Sequence, residues 1–100
     1  MASNDPVPAL AATFHLMGDP SRLRILLACL VEPTPVGELA AKLGLAPSLV
    51  SHHLRLLRTA RLVAATRHGK QVIYAAADHH IAAMLSAMLE HQQEEAAHAA

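Results

Sequence analysis

Gly44 and Pro47 leave room for only a three-residue turn, Gly44-Leu45-Ala46, between two apolar-periodic stretches. Glycine stops one helix and proline suits the first position of the next, where its missing N–H costs nothing. The spacing predicts one helix over Val36 to Leu43, led in by Thr34 as cap and Pro35 at its first position, and a second from Pro47 to about Ala60. Two short helices joined in this way form a helix-turn-helix, which few small folds accommodate. The punctuation continues on both sides. Asp19 and Pro20 read as an N-cap and first position of a helix running to about Leu30, preceded by a short helix over Ala9 to Met17 that Gly18 closes. Beyond the helix-turn-helix, Leu62 to Arg67 and Gln71 to Ala76 read as strands around a His68-Gly69-Lys70 turn. A last helix follows Asp78 and runs to about Glu95. The expected fold is mainly α with a small β-hairpin wing. The expected domain spans 9–95, with a loose tail over 1–8 and another over 96–100.

A chain of 100 residues holds one core, and a domain of this size is marginal alone, which favours a dimer. The apolar runs Ile25 to Val31 and Ile81 to Leu89 are far shorter than the about 20 residues that a membrane span needs. The N-terminus lacks the basic and apolar regions of a secretory signal. The one cysteine, Cys29, excludes an intramolecular disulfide and a Cys-rich metal site, and suits packing as a small hydrophobe. Together these features predict a cytoplasmic protein.

The formal net charge of +0 conceals a segregation. From Ser48 to Gln71 stand Arg55, Arg58, Arg61, Arg67 and Lys70 with no acid. From Asp78 onward stand Asp78, Glu90, Glu94 and Glu95 with no Lys or Arg. Such patterning also arises from ordinary solvated faces. Within the second helix of the helix-turn-helix, Leu49, Val50, Leu54 and Leu57 suit a core. Ser48, Ser51, His52, Arg55, Arg58 and Thr59 recur on the other side. Short polar side chains at Ser48, Ser51 and His52 let a helix approach base edges in a major groove. Arg55, Arg58, Arg61, Arg67 and Lys70 are placed for phosphates.

The run Asp19-Pro20-Ser21-Arg22-Leu23-Arg24-Ile25-Leu26, then Glu38-Leu39-Ala40, then Val50-Ser51-His52-His53-Leu54-Arg55-Leu56-Leu57-Arg58 resembles the ArsR/SmtB family of winged-helix repressors over about Ala9 to Glu95. The resemblance implies a winged helix-turn-helix homodimer, joined through its first and last helices. It implies binding to an inverted-repeat operator in double-stranded DNA and release by a metal or another inducer. By position, Ser48, Ser51 and His52 match DNA-touching residues of such repressors, whereas Ala46 and Pro47 depart from the family's polar pattern. One common sensing site of the family is a Cys-x-Cys pair on the third helix. Here Val31 to Glu38 contains no cysteine, which argues against thiolate sensing of arsenic, cadmium or lead.

The last helix offers a different donor set. Asp78 and His80, with His91 and Glu94, supply two carboxylates and two imidazoles, ligands suited to Zn(II), Co(II) or Ni(II). Asp78 also suits an N-cap alone. His80 and His91 are eleven residues apart, roughly 16 Å along a helix axis. One ion with nitrogen bonds near about 2 Å cannot span that distance. A four-ligand site therefore needs Asp78 and His80 of one chain and His91 and Glu94 of another, antiparallel, giving two sites per dimer. All four positions match the last-helix zinc site of the resembled family. There a ligand histidine also bonds a carbonyl just past the recognition helix, which by position links His91 to the Arg61 carbonyl. His79 is expected to point elsewhere. Glu95 and His98 are extra candidates that could raise coordination toward six for Ni(II) or Co(II), though this stretch also reads, more simply, as a frayed acidic tail. The function expected is a metal-responsive repressor released by Zn(II). The alternatives are a Ni(II)/Co(II) sensor of the same family and a metal-buffering protein without DNA function. A zinc hydrolase is disfavoured, because four protein ligands leave no open coordination position.

Overall fold

The computed structural model describes residues 4–99, with side chains through residue 97. Helix α1 spans Val7–Met17, two residues earlier than the expected Ala9, so Val7 and Pro8 are helical and not part of a tail. Pro6 precedes it as cap, the Asp5 carboxylate accepts the Val7 N–H at 3.0 Å, and prolines are tolerated in a first turn whose N–H groups have no helical partner. Helix α2 spans Pro20–Val31. The Asp19 carboxylate accepts the Arg22 N–H at 2.9 Å, so Asp19 and Pro20 are the N-cap and first position that their order predicts.

The next segment departs from expectation. Thr34 does not cap a helix. Thr34–Pro35 forms a short strand β1, paired antiparallel with a later strand through Thr34↔Tyr74 and Pro35↔Ile73. Thr34 is 1% exposed, its hydroxyl donates to the Glu32 carbonyl at 2.8 Å, and Pro35, not Thr34, occupies the N-cap position of the next helix. Pro35 is the extended residue before helix α3, Val36–Leu43, and not its first residue. Pro35 fits an edge strand because that position needs no donor. Gly44 stops α3 with a φ of 65°, and the Leu45 N–H closes the turn onto the Ala40 carbonyl at 3.1 Å.

Helix α4 spans Pro47–Thr59, strand β2 Val63–His68, strand β3 Gln71–Ala76 and helix α5 His79–Ala99. The sheet order is β1-β3-β2, so the hairpin becomes a three-stranded sheet. Helix α5 runs four residues past the expected Glu95, through the segment expected to be a tail. Its Ala-rich end favours helix. Ile25 and Leu26 of α2, Leu39 of α3, and Val50, Leu54 and Leu57 of α4 are fully buried, flanked by Met17, Leu62, Val63 and Leu85. Each such side chain stabilises the fold by about 1.5–3 kcal/mol on burial, so α4 is held by one face and its other face is free. Cys29 lies in this core, where burial pushes its thiol up to about 11, in keeping with a packing role. Among the described residues no helix is long and apolar enough to cross a membrane.

Candidate nucleic-acid interface and metal-ligating residues

The inner face of α4 is the row Val50, His53, Leu54 and Leu57, spaced i, i+3, i+4 and i+7. The outer face carries Ser48, Ser51, His52, Arg55, Arg58 and Thr59, all exposed. Leu49 is 40% exposed and belongs to neither the core nor the row expected of it. The buried slot on its side is filled by His53, which was not foreseen as a core residue. The Thr59 hydroxyl donates back to the Arg55 carbonyl at 2.9 Å, so Thr59 is turned onto its own helix.

The end of α4 sets the angle at which the wing leaves. The Leu62 N–H donates to the Leu57 carbonyl at 2.9 Å and the Arg61 N–H to the Arg58 carbonyl at 3.0 Å. This is a Schellman closure with Arg61 in the left-handed region at φ 61°. Strands β2 and β3 then pair from Val63↔Ala76 to His68↔Gln71, leaving Gly69 and Lys70 as the turn. Gly69 has φ 63°, and the Arg67 Nε–H donates to the Gly69 carbonyl at 3.2 Å, bracing the wing tip. Arg67 and Lys70 are exposed there, and Arg55, Arg58 and Arg61 are exposed along and just past α4. The outer side of α4 and the wing therefore form a cationic surface with short polar side chains at its leading end.

Behind that surface lies a cluster that sequence reading missed. The Arg22 Nε–H donates to His53 Nδ1 at 3.3 Å and its Nη1–H to the Leu16 carbonyl at 2.9 Å. Asp19 Oδ2 stands 4.0 Å from His53 Nε2. Burial, then the Arg22 cation, holds the His53 imidazole below its ordinary range. The Arg22 backbone N–H, bonded to the Asp19 carboxylate, holds Asp19 below the usual carboxylate range. The signal available in the sequence was position alone: His53 falls on the apolar row of α4.

On α5 the expected donors fall into two separate pairs. Asp78 Oδ1 is 3.5 Å from His80 Nδ1, with both side chains largely exposed. The same carboxylate caps α5, accepting the His80 N–H at 2.9 Å and the Ile81 N–H at 3.2 Å. The Ile81 and His80 N–H bonds hold the Asp78 carboxyl below its usual range. His79 does not point away as expected. Its ring lies 3.9 Å from that of His80, centroid to centroid, at the first residue of the helix. His91, Glu94 and Glu95 are exposed more than two turns further along, and the His98 side chain lies outside the described residues. Among the described residues no three His, Cys, Asp or Glu side chains of one chain gather closely enough to hold an ion.

A helix-turn-helix with a basic hairpin behind its second helix defines the winged helix-turn-helix class of DNA-binding domains. The same fold is found in a domain of Mycobacterium bovis solved by NMR as a homodimeric winged helix-turn-helix DNA-binding domain. The TM-score is 0.87 and the identity 23%, over 98% of this chain and 95% of that one. Residues 19–65 match the family model described as bacterial regulatory protein, arsR family. A transcriptional repressor SmtB homolog of Synechocystis is 39% identical over 92% of this chain and 70% of its own length. The cadmium metal-sensor CmtR of Mycobacterium tuberculosis has an NMR structure with TM-score 0.67 and 49% identity, over 76% of this chain and 79% of that one. The chain belongs to the ArsR family of bacterial regulatory proteins, which are transcriptional regulators and not enzymes.

Proposed function

We propose that this protein is a dimeric, metal-responsive transcriptional repressor of the cytoplasm that leaves its operator when Zn(II) binds between the last helices of two copies. The observation that carries the reading is the free outer face of α4, with exposed Ser48, Ser51 and His52 leading and exposed cations behind. Ser48, Ser51 and His52 would meet base edges in the major groove. Arg55, Arg58, Arg67 and Lys70 would meet phosphates along the helix and wing. The dimer is supported by large apolar side chains left exposed on α1 and α5: Val7 at 61%, Leu10 at 54%, Phe14 at 50% and Met88 at 51%. A second copy of the chain covers such a face, and two-fold symmetry matches an inverted-repeat operator.

The donors fit a divalent ion of borderline character. Asp78 and His80 already stand together, while His91 and Glu94 are three residues apart on one helix face. The roughly 16 Å between His80 and His91 assigns the two pairs of any one site to different copies. The one cysteine is buried, so no thiolate set competes for a softer ion. His91 would also bond the Arg61 carbonyl through its other nitrogen, carrying ring position to the end of α4. The metal acts by linkage, favouring a dimer geometry in which two α4 helices fit successive major grooves poorly. The continuation of α5 past Glu95 leaves room for Ni(II) or Co(II) with Glu95 or His98 as further ligands.

Operator release under buffered free Zn(II), Co(II) and Ni(II), read as fluorescence anisotropy, tests the reading. Release at the lowest free concentration by Zn(II) is expected. Release by Ni(II) or Co(II) in preference reassigns the metal, and saturation by all three ions without release overturns the metal response.

A further inference from the structure

Arg22 joins three helices through three different groups. Its Nη1–H reaches the Leu16 carbonyl near the end of α1, its backbone N–H the Asp19 carboxylate that caps α2, and its Nε–H the His53 ring on α4. His53 is 7% exposed. To accept from Arg22, Nδ1 must carry a lone pair, so the ring is neutral with its proton on Nε2. That proton faces Asp19 Oδ2 at 4.0 Å, too far for a hydrogen bond. A proton on Nδ1 would abolish the Arg22 bond and set two cations 3.3 Å apart.

The remaining groups around the ring do not relieve this. Asp19 attracts a cationic ring, but its carboxylate is already committed to the cap of α2. His52, next along α4, has its ring 5.8 Å away and adds repulsion when charged. His15 of α1 lines the same hollow as Asp19 and Arg22.

We propose that His53 is a positioning residue for DNA reading: as a neutral acceptor it locks α4 through Arg22 to α1 and α2, and its protonation releases the lock and lowers operator affinity. The proposal rests on the DNA-reading role of α4 and adds to it a link from a dimer helix to the recognition helix. Because burial and Arg22 hold the His53 ring below the ordinary imidazole range, the lock is intact above that range and is lost as pH falls through the lower, folded value.

The test uses the metal-free full chain and a DNA sequence selected by it from a random library. Operator affinity is measured between about pH 7.5 and about pH 5.5 for wild type, His53→Asn and His53→Leu. His53→Asn sets an amide oxygen near the place of Nδ1, an acceptor that does not titrate. All three proteins carry the same other histidines, so the comparison isolates His53. Relative to His53→Asn, wild type is expected to lose affinity progressively toward the acid end, and His53→Leu to be weak throughout. Parallel pH profiles for wild type and His53→Asn overturn the proposal. Nitrogen-15 NMR of the histidines is expected to show a neutral His53 with the proton on Nε2, and a proton on Nδ1 overturns the lock. Failure to select any DNA overturns the DNA-reading proposal itself, and the NMR tautomer, which needs no DNA, tells that failure from this one.

Discussion

Arg61 is the only non-glycine residue with positive φ among the described residues, and it stands where helices usually place glycine. A left-handed conformation costs an L-residue roughly 1–2 kcal/mol, while glycine gives back about 0.5–1 kcal/mol in chain entropy. Arg61→Gly is therefore expected to raise stability by about 0.5–1 kcal/mol and Arg61→Val to lower it by about 1–2 kcal/mol, read by thermal unfolding of the dimer. A destabilised glycine variant would show that the arginine side chain, and not the turn, holds this corner. The same residue carries the carbonyl proposed to meet His91, so the strained turn that joins α4 to the wing is also where the last helix would meet it. Sequence reading placed Arg61 just past the recognition helix but did not see its conformation, because the left-handed turn is closed by Leu57 and Leu62 packing across it.

At the scale of elements, α4 and the wing would divide the work of binding in the proposed function. Ser51→Ala and His52→Ala are expected to lower the preference for operator over unrelated DNA, leaving the dimer intact. Arg67→Ala or Lys70→Ala is expected to weaken binding to all sequences and to reduce the salt slope by about 1 per residue. Equal losses of preference from both groups would contradict the division, and competition binding at two salt concentrations measures it. The recognition helix was legible because proline, glycine and the apolar period agree along it. What was not legible was decided by tertiary contacts. Thr34 reads as a cap, yet pairing with Tyr74 drew it into a strand. Leu49 reads as core, yet His53 took the buried place because Arg22 and Asp19 meet it there. Helix α5 is the other decisive element. In the proposed site its imidazoles would ligate only when neutral, so metal binding is expected to release protons and to weaken toward about pH 6. Asp78 does not contribute to that trend, since its carboxyl is held below the usual range and stays ionised across it. A metal affinity that is flat from about pH 8 to about pH 6 would remove His80 and His91 from the site.

At the scale of the whole molecule, each chain of the proposed dimer would present half of a site at each end of one helix. The exposed apolar side chains of α1 and α5 would then supply the surface on which a second copy completes both halves. Metal occupancy and subunit arrangement then become one equilibrium, which is how an ion held on α5 can alter the separation of two α4 helices. The most direct measurement mixes a His80→Ala chain with a His91→Ala chain and counts tightly bound zinc in purified heterodimers. Each mutant homodimer has two damaged sites. In the heterodimer one site lacks both histidines, while the other joins an intact Asp78 and His80 from one chain to an intact His91 and Glu94 from the other. The account predicts one tightly bound ion per heterodimer and none in either homodimer. Heterodimers that bind no better than the homodimers would contradict the shared four-ligand site.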